Sequence, residues 1–493
     1  MFKKSIFYLL SLGILSVIML SFNVMAESPQ FIFNSKTITV GKQPMSIFPD
    51  GAYFNADYKT LNVICLGVDA NWNGQYDEGE DELPSWWKIK NIQHPDNPQQ
   101  IQTVAEKVMD LSTNWGGLFP FRCANSEDSI LFVPHNDFVV RYNIVTTQVI
   151  DTIYVAGVKA ASTLMNNIFF SVREYENPGD YISKANYVIN YSTETGQVVD
   201  TIFTGYNVQK TIPYIEYNSK DTVLAVLCEG TGGEDSYLEF YNISTGEQIE
   251  RVLIGALGND IAFVQMEFDM PSPLTMQLIV AVVSNSHKLQ VVDAQTYSTT
   301  IPIFDMVGIP SSLALPTTGY DIAREVAVND NADIFITSYN GKIYKISPFE
   351  DAANIDSLEV GTATEGITAA AYNQNDVIIA YTKIYSGVGT YEPGNEVVIG
   401  FTENSCIKEE ISQLITLTPN PVAESATLCL PQNEVILSAM IIDQLGNSIA
   451  EIPVNSLSNT IKFDLPKEIL AGVYYLFVKT NNGNGAVKFI INK

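Results

Sequence analysis

Val140-Arg141-Tyr142-Asn143 leading to Asp151-Thr152-Ile153 is the stretch from which the fold of this chain can be read, because it comes back. The same order recurs as Ile189-Asn190-Tyr191-Ser192 leading to Asp200-Thr201-Ile202, and as Glu239-Phe240-Tyr241-Asn242 leading to Glu250-Arg251-Val252. Tyr142 and Tyr191 are 49 positions apart, and Tyr191 and Tyr241 are 50 apart. A steady period near fifty residues is a β-propeller blade period. Weaker copies extend the series: Trp86-Trp87-Lys88-Ile89 before it, and Gln290-Val291-Val292-Asp293, Lys342-Ile343-Tyr344-Lys345 and Val398-Ile399-Gly400-Phe401 after it. That makes seven units.

Each unit opens on an apolar run, as at 129–133, 223–228, 278–283, 332–337 and 376–381, then reaches the signature strand, a turn and an outer strand. From about residue 45 to 405 no helical periodicity competes, and Gly, Asn, Asp and Ser punctuate the runs, which is all-β spacing. The expected fold is all-β: a seven-bladed β-propeller over 27–410, followed by a small antiparallel β-sandwich over 411–493. A row of separate β-sandwich domains is the alternative, and it predicts turns without a steady phase. The middle resembles the bacterial repeat propellers that include the YVTN-type and quinoprotein-like groups. That resemblance rests on period and strand grammar and brings no catalytic motif with it.

The ends say where the chain goes. Lys3 and Lys4 precede an apolar run over 6–22, and Val24-Met25-Ala26 stands before Glu27. This is the order of a signal peptide, residues 1–26, cleaved after Ala26; an uncleaved anchor is the alternative. No later stretch is long and apolar enough to span a bilayer, so no transmembrane segment is expected after cleavage.

At the other end the repeat gives way to four pieces: Thr418-Pro419-Asn420-Pro421, Asp443-Gln444-Leu445-Gly446, Gly472-Val473-Tyr474, and the last strand running to Lys493. Together they resemble the type A sorting domain of the type IX secretion system of the Bacteroidota, whereas an unrelated accessory β-domain would not be expected to hold all four in order. The resemblance implies passage through the periplasm, export across the outer membrane by the type IX machinery acting on residues 411–493, and a protein either secreted or displayed on the outer cell surface. Within this module Gly446 and Gly472 are expected at turns. Val473, Tyr475 and Phe477, spaced by two, can face one core.

Lys and Arg number 27 against 55 Asp and Glu, a formal charge of −28. Such a surface repels phosphate backbones and anionic lipid, so neither nucleic acid nor a membrane surface is an expected partner. The five cysteines, Cys65, Cys123, Cys228, Cys406 and Cys429, never pair as CxxC and form no zinc or disulfide pattern. Cys65 and Cys228 sit in apolar runs as small core residues.

The sharpest local motif is Asp69-Ala70-Asn71-Trp72-Asn73-Gly74-Gln75-Tyr76-Asp77-Glu78-Gly79-Glu80. Counted from Asp69, side-chain oxygens fall at positions one, three, five, nine and twelve, with Gly at six, as a twelve-residue calcium loop requires. Asp69, Asn71, Asn73, Gln75 (through its carbonyl), Asp77 and Glu80 are the candidate ligands of a structural calcium ion. The segment resembles dockerin-type calcium loops, but Pro84 argues against the exiting helix of an EF-hand. The alternative is a solvated acidic hairpin.

His94, His135 and His287, the three imidazoles, are in no metal-ligand or triad arrangement. Gly230-Thr231-Gly232-Gly233 lacks the Lys and helix of a phosphate loop. Asp128-Ser129-Ile130, Asp151-Thr152-Ile153, Asp200-Thr201-Ile202, Asp221-Thr222-Val223 and Asp356-Ser357-Leu358 fit the Asp-Ser/Thr-aliphatic pattern of O-glycosylation in exported Bacteroidota proteins. The functional expectation is a monomeric binding or scaffold propeller for an extracellular glycan, a peptide or another envelope protein. The alternative is a propeller hydrolase, lyase or quinoprotein-like oxidoreductase using acidic residues around the channel.

Overall fold

The computed structural model describes residues 32–50, 57–71, 76–92, 103–111, 130–135, 137–177, 180, 182–231, 235–268, 274–299, 311–319, 322–329, 333–346, 355–371, 376–387, 391–403, 415–430, 435–442, 448–454, 458–466, 469–480 and 483–492. The signal-peptide segment, His94, Cys123, Cys406, Asn73, Gln75, Ser129 and the turn at 443–446 lie outside them. All regular structure among the described residues is β-strand.

The repeats become seven antiparallel sheets, six of four strands and one of three among the described residues. The first blade is built from Pro44–Asp50, Asp57–Cys65, Ser85–Lys90 and Val104–Asp110, and the second from Ile130–Pro134, Val139–Asn143 and Val149–Ile153. Val158–Leu164, Asn167–Glu174, Ala185–Ser192 and Gln197–Phe203 form the third, and Val208–Ile215, Thr222–Cys228, Ser236–Asn242 and Gln248–Gly255 the fourth. The fifth holds Gly258–Phe268, Leu274–Val283, Lys288–Asp293 and Ser312–Ala314, and the sixth Ala323–Val328, Ile334–Ser338, Lys342–Ile346 and Asp356–Glu359. The seventh takes Thr364–Ala371, Asp376–Tyr385 and Pro393–Glu403, and its outer strand is Phe33–Thr39, from the far end of the chain. Six of the seven signature fragments fall on the third strand of their blade, and Val140–Asn143 falls on the middle strand of the three described in the second.

In the first six blades the described strands run outward from the channel in chain order, and the innermost strands of the third to the seventh blades pack side by side, with Pro44–Asp50 of the first against Thr364–Ala371 closing the circle. The N-terminal strand locks that closure. Lys36 lies opposite Ile399 and Ile38 opposite Val397, so the last blade is completed by the first residues of the ring. A ring joined in this way leaves no gap between its first and last repeats.

Why the second strands read as unbroken apolar runs is visible in their packing. Along Thr222–Cys228, Val223, Ala225 and Leu227 pack toward the fifth blade, while Leu224, Val226 and Cys228 pack toward the third. Along Leu274–Val283, Leu278, Val280 and Val282 face the sixth blade and Ile279, Ala281 and Val283 the fourth. Side chains alternate across a strand, so a strand buried on both faces must be apolar at every position. Each of the seven blade junctions has one apolar cluster of this kind. Cys65 and Cys228 belong to two of them, fully buried, with burial pushing both thiols up.

The C-terminal module is a small sandwich of a three-stranded sheet (Thr416–Thr418, Ser425–Cys429, Thr460–Asp464) and a four-stranded one (Ile436–Ile442, Ser448–Ile452, Gly472–Thr480, Gly483–Ile491). Two expectations change here. Its main core takes Leu476 and Val478 with half-buried Tyr474, opposite Ile441 and Ala439. Tyr475 and Phe477 lie on the other face, with Met440 and Ile442. Both alternating sets of this strand are apolar, so spacing by two did not distinguish the face that meets the second sheet. Gly472, expected at a turn, instead begins the strand, paired with Ile491.

The Pro-Asn-Pro opening is tied to the last strand. Ile490 N donates to Asn420 Oδ1 at 3.0 Å, Asn420 Nδ2 donates to Lys488 O at 3.1 Å, and Val422 N donates to Ile490 O at 2.7 Å. Both Xaa-Pro bonds of the opening are cis.

Candidate functional site

In a sheet of sequentially paired antiparallel strands, the start of the first strand, the end of the second and the start of the third share one end. At that end of the ring all six described innermost strands share a defect. The register breaks between Pro44 and Ser46, Val158 and Ala160, Val208 and Lys210, Gly258 and Asp260, Ala323 and Val326, and Thr364 and Ile367. A β-bulge inserts a residue, bends the strand and re-aims side chains, and bulges concentrate next to functional sites. The inserted positions are Met45, Lys159, Gln209, Asn259, Arg324 with Glu325, and Glu365 with Gly366. They form a ring at the channel mouth that no motif announced, because the positions share geometry and not residue type.

Ion pairs cross the blade junctions at this level. Arg173 of the third blade meets Glu229 of the fourth at 3.1 Å, both buried. Lys210 of the fourth meets Asp260 of the fifth at 2.8 Å, and the other oxygen of Asp260 accepts Val326 N of the sixth at 3.0 Å. Arg324 of the sixth meets Glu365 of the seventh through three contacts of 2.8 to 3.2 Å. A bidentate guanidinium and carboxylate pair is strong when partly desolvated, and it fixes orientation as well as energy.

Around Arg324 the mouth is aromatic. Its guanidinium lies over the Tyr339 ring at 4.8 Å, and Tyr339 OH donates to Glu365 Oε2 at 2.7 Å. Tyr385 follows, edge-on to Tyr339 at 6.3 Å and to Tyr391 at 5.6 Å, and Tyr391 is 84% exposed. Burial, and then the Glu365 carboxylate, push the phenols of Tyr339 and Tyr385 upward, so both stay neutral hydrogen-bonding groups. Burial opposes the charge on Arg324, but Glu365 outweighs it and holds the guanidinium charged. The arrangement can stack a flat or ring-shaped ligand and orient it by hydrogen bonds.

The calcium-like segment occupies the connection between the second and third strands of the first blade, and so rises from the same end of the ring. Val68 and Glu82 close its neck by donating to each other's carbonyls at 2.8 and 2.9 Å. Gly67 just outside has φ +78°, and a Cβ there would come 2.0 Å from Glu82 O, so only glycine fits. Asn71 Nδ2 donates to Asp77 Oδ2 at 2.6 Å, which brings two candidate ligands together. Glu80 is exposed, and its backbone N–H donates to Asp77 O at 3.1 Å. Asp69 stands beside the neck. Asp81 was not singled out by the ligand pattern, yet it organises the loop by accepting Ala70 N at 2.8 Å and Asp77 N at 2.7 Å. The acidic run 77–82 was the signal for it. The donor set is hard oxygen, which suits calcium and not a thiophilic metal. Among the described residues no three His, Cys, Asp or Glu side chains gather as a metal-holding group.

His135 is buried and stacked on Phe138, with burial lowering its pKa, and His287 is within 3.0 Å of Thr317 Oγ1. Thr152 and Thr201 lie exposed on outer strands of the second and third blades.

Residues 416–492 match the family described as the secretion system C-terminal sorting domain. No curated protein matches the chain at a significant level. Among solved structures, hydrazine synthase of Kuenenia stuttgartiensis is similar over 74% of this chain and 96% of its own, with 10% identity and a TM-score of 0.44. PorZ, described as an essential bacterial surface component of the type-IX secretion system of Porphyromonas gingivalis, is similar over 90% of this chain and 60% of its own, with 11% identity and a TM-score of 0.39. Likeness at that level says nothing of ligand or activity, and the fold stands on its strand order. The sorting domain makes the chain a cargo of the type IX secretion system, delivered to the cell surface or the extracellular space. No helix among the described residues is long and apolar enough to cross a membrane.

Proposed function

We propose that this exported propeller is a binding module that takes an extracellular glycan, a peptide or another envelope protein at the channel mouth. The observation behind the reading is the line of Tyr339, Tyr385 and Tyr391 leading outward from the Arg324–Glu365 pair. Rigid strands hold the charged pair, and aromatic rings offer large contact area at low entropic cost. On the same reading residues 1–26 leave as a signal peptide, 27–410 act as a monomeric ring, and 411–493 serve export. A structural calcium ion held by Asp69, Asn71, Asn73, Gln75, Asp77 and Glu80 would brace the long connection of the first blade beside the mouth.

A glycan and peptide array probed with the mature protein tests the reading. Binding to a defined ligand class, weakened at least about tenfold by Tyr391→Ala with Tyr385→Ala, is the expected result. Binding that the double replacement leaves unchanged would place the site elsewhere.

A further inference from the structure

We propose that the channel mouth between the third and fourth blades recognises the carboxylate of an acidic sugar, a hexuronate, through the ammonium of Lys159. This deepens the reading of the mouth as a ligand-binding rim and rests on it.

The case starts from charge. In a chain of net charge −28, three described innermost strands nevertheless place a cation at or beside their bulge: Lys159, Lys210 and Arg324. Two of the three are answered within the ring, Lys210 by Asp260 and Arg324 by Glu365. Lys159 is not. Among the described residues it makes no ion pair and no hydrogen bond, and its one recorded partner is the ring of Tyr175, 5.6 Å from Nζ.

Its neighbour Arg173 does not share the load. Arg173 Nε donates to Val208 O at 2.7 Å, Nη2 to Asn207 O at 2.9 Å and to Glu229 Oε2 at 3.1 Å, and Nη1 to Tyr175 OH at 3.4 Å. Gln209, at the next bulge, donates to the same Glu229 oxygen at 2.8 Å. Arg173 is thus held by its own partners, and Lys159 is left, among the described residues, with no carboxylate paired to it. Burial, and then the like charge of Arg173, pull that ammonium down to about 8. A desolvated charge without a partner is a cost that an incoming anion removes.

The local balance also selects the anion. One cation with no paired carboxylate among the described residues matches one negative charge. A carboxylate fits. Tyr175, half-buried beside Lys159, offers an aromatic face of the kind on which the apolar side of a pyranose ring packs. The other charged groups on elements packed against Lys159 are Glu174, bonded to Tyr187 OH at 2.6 Å, Lys210, paired with Asp260, and His135, which burial keeps neutral.

The test uses the mature protein with its lysines carbon-13 dimethylated, the Lys159 resonance assigned by Lys159→Met. Sodium glucuronate is titrated at constant ionic strength, with glucose, acetate and inorganic sulfate as parallel arms. The expected result is a saturable change at the Lys159 signal with its apparent pKa moving up. Affinity should fall at least about tenfold in Lys159→Met, and Lys159→Arg should restore part of it. No glucuronate binding by the wild type, equal binding by Lys159→Met, or equal binding of acetate or sulfate would overturn the proposal. If the array shows a ligand that depends on Tyr385 and Tyr391 but not on Lys159, the carboxylate assignment falls while the binding module stands.

Discussion

Arg324 in the sixth blade holds both carboxylate oxygens of Glu365 in the seventh, and each of the two residues is the bulged position of its own innermost strand. The pair joins two adjacent repeats at the place where the channel opens. Glu365→Ala should therefore destabilise the ring by about 3–5 kcal/mol, because it strands a partly buried guanidinium. Replacing both, Arg324→Met with Glu365→Leu, should recover most of that loss. Urea unfolding of the three variants measures it, and a single replacement costing no more than the double would show that the pair is energetically idle.

Ring closure by the N-terminal strand gives a second expectation. A chain starting at residue 41 leaves the edge of Pro393–Glu403 open and uncovers Ile399 and Phe401, which pack with Ile38 and Val40 in the closed ring. An open apolar edge pairs with other chains. The shortened protein should elute as oligomers in size-exclusion chromatography, and a stable monomer would count against the strand as a lock.

Deleting residues 411–493 should trap the protein in the periplasm of a host with type IX secretion, while the intact chain reaches the medium or the cell surface. Asn420→Ala keeps the module but removes its two bonds to the last strand, at a cost of about 1–2 kcal/mol, and export should persist at a reduced level. Fractionation and immunoblotting read both outcomes. Normal export of the truncated chain would refute the sorting role.

Calcium should raise the melting temperature, adding on the order of 2.7 kcal/mol at a hundredfold excess over its dissociation constant. Chelation should reverse the gain, and Glu80→Ala should lose the calcium-dependent part while keeping the fold. The same chelator response in wild type and mutant would leave the loop an acidic turn organised by Asp81 alone.

Lys159 sets the sign of one pH dependence. Its folded-state pKa is pulled below that of the unfolded chain, to about 8, so above that value the unfolded chain holds more protons and stability rises with pH. Below it the buried charge is a full cost. Lys159→Met should accordingly be the more stable protein at pH 7, by on the order of 1 kcal/mol once the ammonium's partial contact with water is allowed for. The difference should shrink as pH climbs from about 8 toward the unfolded lysine value near 10.4. A gap that stays constant across that range would mean the lysine titrates normally.

The blades were legible in the sequence because Tyr142, Tyr191 and Tyr241 pack into the apolar clusters of successive blade junctions, and a repeated environment selects a repeated residue. The sorting module was legible because its pieces are fixed in residue type. The closing strand was not, since Phe33–Thr39 finds its partner only at 393–403 and no local pattern records so distant a pairing. The mouth was hidden for another reason. Met45, Lys159, Gln209, Asn259, Arg324 and Glu365 are unlike in chemistry and alike only in backbone register. Asp81 lies outside the twelve positions counted from Asp69, and its role, accepting Ala70 N and Asp77 N, exists only once the loop is folded.

The strand that locks the ring is also the first part of the ring to be synthesised. Lys36 must wait for Ile399, so the contact that ends folding joins residues about as far apart in the chain as the architecture allows. Contacts of that separation make folding slow, since loop-closure entropy is lost before the contact gives anything back. Until residues 393–403 exist, the early blades can only stack as an open arc whose two faces are exposed to proteases and to other chains. Once Phe33–Thr39 docks, no terminal repeat remains to fray, and a protease must wait for a rare opening of the whole circle. A chain sent outside the cell, where no chaperone can refold it, gains its durability at that one late step.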